Sequence, residues 1–213
     1  FAHVSAVKES CANNAKIASV EEGIGEWELT KDDILAATAR AKNAIEALKK
    51  GATCRVTSPA GTDVLVSIEG RPALEVTPMK KRGQMMGPVP LWAEVAFAAV
   101  EDKTEGRIVV DGVMLGIGLQ GQVEEQIVWT IEKGRCVLIE GGAEAARLRE
   151  VIADVDGADV IGEFAFGTSE KSPWGSPSEK GRLGTAHFAL GDNHNAYPGG
   201  QNVSVLHLDG VCL

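Results

Sequence analysis

The hydrophobic period of the chain changes at Gly51, and that change restricts the possible folds more than any other feature. Before it, Ile34, Thr38, Ala41, Ile45 and Leu48 step by four, three, four and three residues, the spacing of one helical face. Thr30 stands where an N-cap belongs, Asp32 and Asp33 lie where the helix dipole favours acids, and Gly51 closes the run. After it come short β-branched runs. Cys54-Arg55-Val56-Thr57-Ser58 and Val64-Leu65-Val66-Ser67-Ile68 flank a Pro-Ala-Gly-Thr-Asp turn, and Ala73–Val76 follows a Gly-Arg-Pro turn. Further strands are expected at 93–100, 106–110, 113–118, 159–166 and 202–209, a short apolar segment at 184–190, and a hairpin over 126–140 turning at Lys133-Gly134. A second helix, 143–153, presents Leu148, Val151 and Ile152. Two main helices among so many strands predict a β-rich α+β domain over residues 26–213. Residues 79–90, with three basic residues, two glycines and two prolines, have loop composition and are expected to form a mobile loop over a site. Residues 168–183 form a polar loop. Residues 1–25 resemble a helix followed by a short strand, too little to bury a core, and are expected to be the end of an N-terminal α/β domain.

Composition removes several functional classes. A net charge of −9 and a pI of about 5.0 disfavour nucleic acid and anionic membrane as partners. No apolar run approaches the ~18 residues of a membrane span, and the N-terminus lacks a signal pattern. The four cysteines are scattered without a C-x-x-C pair, which argues against a disulfide scaffold or a cysteine zinc cluster and suits reduced thiols of a cytoplasmic protein. Phosphate-loop, H-E-x-x-H and G-x-S-x-G motifs are missing. Gly116-Ile117-Gly118-Leu119-Gln120-Gly121 has dinucleotide-fingerprint spacing, but a hairpin arm follows it rather than a helix, so it reads as a glycine-rich turn.

The chemistry concentrates near the C-terminus. Of four histidines, His187, His194 and His207 fall within 21 residues, and Asp209 follows His207 by two. On a strand, that spacing turns both side chains to one face, where an imidazole and a carboxylate can share a divalent metal. His187 lies in an apolar stretch between glycines. Glu163 and Glu94 are each embedded in an apolar strand, where a carboxylate needs a cation or a donor. Each has an ordinary structural explanation alone. Together they are the ingredients of a carboxylate–imidazole metal site.

Five motifs in order resemble the thermophilic aminopeptidases, peptidase family M29. They are Thr62–Pro72; Pro90-Leu91-Trp92-Ala93-Glu94-Val95 with Gly106–Gly112; Gly162-Glu163-Phe164 with Gly167-Thr168; Gly184-Thr185-Ala186-His187-Phe188-Ala189-Leu190-Gly191; and His207-Leu208-Asp209-Gly210. The second departs from the family in having Ala93 where glycine is usual. The resemblance implies two divalent ions, zinc, cobalt or manganese, held by Glu94, Glu163, His187, His207 and Asp209. It also implies hydrolysis of N-terminal residues from peptides, Glu94 or Glu163 moving the proton, and a homodimer as the assembly. The family has a tyrosine just after the His187 motif; the ungapped count reaches His194, and Tyr197 stands three residues on, so either could fill that place. The 2,5-dihydroxypyridine dioxygenases resemble the same framework, end in the same His-x-Asp, and use one non-haem Fe(II) to open a pyridine ring. His187, His207 and Asp209 could form such a two-histidine, one-carboxylate triad. The two embedded glutamates favour the hydrolase, because the dioxygenase pattern takes a histidine and a serine upstream of the closing pair. A third reading is a module that keeps the fold without catalysis.

Overall fold

The computed structural model describes residues 5–15, 17–18, 28–78, 85–86, 92–194 and 196–213. The elements in chain order are α1 (Ser5–Ala12), β1 (Ile17–Ala18), α2 (Lys31–Leu48), β2 (Thr53–Thr57), β3 (Asp63–Ser67), β4 (Leu74–Val76), β5 (Met85–Met86), β6 (Glu94–Ala98), β7 (Glu105–Val110), β8 (Ile127–Glu132), β9 (Arg135–Glu140), α3 (Ala143–Ile152), β10 (Ile161–Gly167), β11 (Ala186–Gly191) and β12 (His207–Cys212), with a 3-10 turn at Pro177–Gly181. Two five-stranded antiparallel sheets dominate, ordered β12-β11-β10-β6-β4 and β2-β3-β7-β8-β9, and β1 pairs in parallel with β5. The fold is α+β and mostly strand, as the periodicity predicts.

Both sheets contribute to one core. Val64, Ile108, Trp129 and Ile131 from one meet Phe97, Phe164, Phe188 and Leu208 from the other. Helix α2 begins with a capping box, in which the Thr30 side chain accepts from the Asp33 N–H and the Asp33 carboxylate accepts from the Thr30 N–H. It lies against β4 and β6, while α3 lies against β8 and β9. Gly210 lets β12 cross the core closely. A Cβ there would stand 2.6 Å from Val110 Cγ2 and 2.7 Å from Trp129 Cη2.

Two expected strands differ. Residues 113–118 make only isolated bridges, Val113 to Gln122 and Met114 to Gly210, because Gly116 and Gly118 take positive φ and break the extended path. The last strand starts at His207 rather than 202, because Asn193 and Asn202 tie residues 193–202 into a closed loop through their backbones and side chains. In the polar stretch 168–183 the described structure includes the 3-10 turn. Most of the expected mobile loop 79–90, the boundary at 25/26 and His3 lie outside the described residues.

Candidate metal centre

The outer face of the first sheet is paved with small residues, and the polar side chains rise among them. Along β6, Val95 and Phe97 enter the core while Glu94, Ala96 and Ala98 take the other face. On β10 the register between Ile161 and Glu163 is bulged, with Ile161 opposite Leu190 and Glu163 opposite Ala189. Without that extra residue, Ile161 and Glu163 would share a face. The bulge sends Ile161 and Phe164 inward and leaves Glu163 beside Ala165 on the outer face. Gly162 permits it, since a Cβ there would lie 2.4 Å from the Gly191 carbonyl oxygen. On β11 and β12, His187, His207 and Asp209 take the same face, opposite Val211, Gly191 and Ala189 across the pair.

Glu163 is the centre of the cluster. Its Oε2 accepts from Tyr197 Oη at 2.6 Å and lies 3.0 Å from His207 Nε2. Its Oε1 lies 3.4 Å from His187 Nε2. Glu94 Oε2 is 3.8 Å from the same His187 nitrogen and accepts from the Trp92 indole N–H. Asp209 Oδ1 is 3.1 Å from His207 Nε2, and Asp209 Oδ2 accepts from Lys180 Nζ at 3.1 Å. Tyr197 packs on Ala96, Ala98 and Ala165, and its ring stacks on His207 at 5.7 Å. The alanine floor is what lets a phenol ring lie there.

Each imidazole is oriented from behind. His187 Nδ1 meets the Lys180 carbonyl at 3.2 Å, and His207 Nδ1 meets the Asp192 carbonyl at 2.8 Å. A carbonyl can only accept, so Nδ1 carries a proton, and each Nε2 is turned toward carboxylate oxygens. In a neutral ring that Nε2 is a lone pair facing negative charge, which requires either a second proton or a cation between them. Glu163 Oε1 and Asp209 Oδ1 receive no well-directed hydrogen bond although both are buried. Those atoms and the two Nε2 positions form an arrangement that fits divalent metal. Two ligand groups meet this description among the described residues, Glu94–Glu163–His187 and Glu163–His207–Asp209, with ligand atoms within 4.8 Å of one another in each. Glu163 belongs to both.

The electrostatics are those of a packed charge cluster. Burial pushes the Glu94 carboxyl up to about 8, opposed by the His187 imidazole. For His207 burial favours the neutral ring, but attraction to Asp209 and Glu163 overcomes it and raises the ring to about 10. His187 is raised for the same reason, chiefly by Glu163 against its burial. Burial also opposes the charged forms of Glu163 and Asp209. The imidazoles win at Glu163, and Lys180 with His207 wins at Asp209, so both carboxyls lie well below their usual range. Burial raises the Tyr197 phenol well above its ordinary value.

The family model for 2,5-dihydroxypyridine 5,6-dioxygenase, NicX, matches residues 2–209. The chain belongs to this family. In fold it is similar to the 2,5-dihydroxypyridine dioxygenase from Pseudomonas putida KT2440, with a TM-score of 0.78 at 22% identity, over 98% of this chain and 63% of that one. It is also similar to wild-type AmpT from Thermus thermophilus, with a TM-score of 0.61 at 19% identity, over 84% of this chain and 50% of that one. The chain therefore spans less than two thirds of either structure's length. None of the curated proteins matches it. The family match and the higher structural likeness both lie on the dioxygenase side, where the embedded glutamates had favoured the hydrolase.

Within the family fold, Glu94, Glu163, His187, His207 and Asp209 come together on one sheet face, as does Tyr197. His194 does not; it is exposed, and its backbone N–H donates to the Asn202 carbonyl. The reason is the tight Asn193–Gly200 loop, which aims position 197 rather than 194 at the sheet. His187, which could form a triad with His207 and Asp209, groups with Glu94 and Glu163, and Glu163 joins that group to His207 and Asp209. Sequence reasoning missed Lys180, the indole of Trp92 and the Asp192 carbonyl. Trp92, two residues before an embedded glutamate, was the available signal; Ser178-Glu179-Lys180-Gly181 reads only as polar loop. No helix among the described residues is long and apolar enough to cross a membrane.

Proposed function

We propose that this chain carries the metal-binding part of a non-haem Fe(II) dioxygenase that opens the ring of a hydroxypyridine-type substrate. The observation that carries the reading is the family match over residues 2–209. Glu163 on β10, with His207 and Asp209 on β12, would hold the metal through two carboxylates and one imidazole. Ferrous iron bound there would supply the site at which dioxygen and substrate meet. The protein's own part is orientation and proton handling. The Asp192 carbonyl fixes the His207 ring so that Nε2 faces the metal position. Tyr197 keeps its phenol proton, shared with Glu163, and can donate it to a developing oxyanion. Glu94, its carboxyl pushed up to about 8 by burial, is mostly protonated at neutral pH and can give that proton to the substrate and take one back.

A second reading is favoured by one specific observation. Glu163 presents Oε1 toward His187 and Oε2 toward His207. A carboxylate shared in this way could serve two divalent ions at once, as in metal-dependent aminopeptidases, where they would polarise a carbonyl and activate water. In that case Glu94 and His187 would complete the second ion's shell.

Metal analysis with paired activity assays separates the two. The proposal expects one iron per chain and oxygen uptake when the Fe(II)-loaded protein meets 2,5-dihydroxypyridine. Two zinc, cobalt or manganese ions per chain, with release of nitroaniline from an aminoacyl nitroanilide and no oxygen uptake, would replace it by the hydrolase.

A further inference from the structure

Lys180 supports both halves of the cluster at once. Its backbone carbonyl holds His187 Nδ1 at 3.2 Å, and its ammonium holds Asp209 Oδ2 at 3.1 Å. Its side chain is only 10% exposed and lies 4.1 Å over the Trp92 ring, which favours a cation there. The turn that carries it is itself anchored. The Glu179 carboxylate accepts from the Val113 N–H, the Gln122 amide and the Gly175 N–H, and Thr185 Oγ1 donates to the Arg182 carbonyl. Gly181 allows the turn to sit on Trp92, because a Cβ would lie 2.1 Å from Trp92 Cδ1.

The geometry points to Lys180 as a positioning residue of the metal centre, one that occupies Asp209 Oδ2 so that Asp209 offers the metal a single oxygen, Oδ1. The inference rests on the metal centre proposed above. Two effects of opposite sign meet at this residue. An ammonium close to a divalent ion repels it, so a lysine that only neutralised the acids would hinder the metal, and its removal would tighten binding. A lysine that orients Asp209 acts the other way, because a carboxylate released at Oδ2 can rotate or bind through both oxygens. Partners that orient a ligand are worth about 10–100-fold in metal affinity.

Co2+ is a suitable probe, with its dissociation constant measured by competition against a chelator and its visible absorption reporting the ligand geometry. Lys180→Met keeps the length but loses the charge and the donor. Lys180→Gln keeps a neutral donor. The expected result is a loss of about 10–100-fold in Co2+ affinity for Lys180→Met with an altered spectrum, and partial recovery of both in Lys180→Gln. Melting of the metal-free variants checks that each is folded, and Lys180→Gln alone decides if the methionine variant is not. Affinity equal to or tighter than wild type with an unchanged spectrum overturns the role. A wild-type chain that binds no Co2+ overturns the metal centre itself, and this role with it.

Discussion

Tyr197→Phe removes one oxygen from the cluster and nothing else. The ring still packs on Ala96, Ala98 and Ala165 and still stacks on His207. What disappears is the 2.6 Å hydrogen bond to Glu163 Oε2, an acceptor that is charged and buried. Hydrogen bonds to charged groups contribute about 1.5–3 kcal/mol. Glu163 Oε2 keeps His207 Nε2 at 3.0 Å, so it is not orphaned, and the lower half of that range applies, about 1.5–2 kcal/mol. For a chain of this size each kcal/mol moves the midpoint by about 2–4 °C, which gives a drop of about 3–8 °C. The assay is thermal unfolding of the metal-free protein followed by circular dichroism, repeated in a Glu163→Gln background. There the loss should shrink by at least half, since the acceptor no longer carries charge. His194→Ala serves as the control and should shift the midpoint by less than about 1 °C, as exposed substitutions usually do. A Tyr197→Phe midpoint indistinguishable from wild type, or a His194→Ala drop as large, would refute the assignment of the sixth position to Tyr197.

Three further outcomes follow from the same contacts. Metal uptake should release protons, because the metal-free His207 ring titrates near 10 and a metal must displace its Nε2 proton. At pH 9, above Glu94 near 8 and below His207, affinity should still rise with pH, and titration calorimetry in two buffers of different ionisation enthalpy should detect the released proton; absence of release would remove His207 from the ligand set. Asp209→Asn should leave the fold intact, since the amide oxygen can still accept from Lys180, yet lower the metal retained after dialysis by at least about tenfold; full retention by elemental analysis would contradict its place as a ligand. Gly210→Ala should destabilise by about 1–3 kcal/mol from overpacking against Val110 and Trp129, read as a lowered midpoint, and an unchanged midpoint would mean that the strand can shift.

Local rules read from the chain account for most of the elements. The step pattern from Ile34 to Leu48 with Thr30 before it specifies α2, because capping and periodicity act within a few residues. The 126–140 hairpin is legible for the same reason, with Lys133 and Gly134 both at positive φ in its turn. Residues 113–118 are not legible as a non-strand, since their apolar character satisfies the strand pattern while the glycine dihedrals decide otherwise. Glu94, Glu163, His187, His207 and Asp209 stand out in sequence because a charge in an apolar run demands a partner, and that demand is chemical and local.

Which partner each one meets is a different matter, settled by sheet order and register. Sequence alone determined the α+β class, the principal helices and the set of polar residues that must be compensated. The tertiary structure alone decided that a bulge at Gly162 turns Glu163 to the face of His187 and His207, that Tyr197 rather than His194 reaches it, and that a lysine from a polar turn comes to rest on Asp209. The physical reason is range. Backbone preference and hydrophobic period operate over a few residues, whereas these contacts join positions 24–44 residues apart in the chain, brought together by strand pairing and core packing.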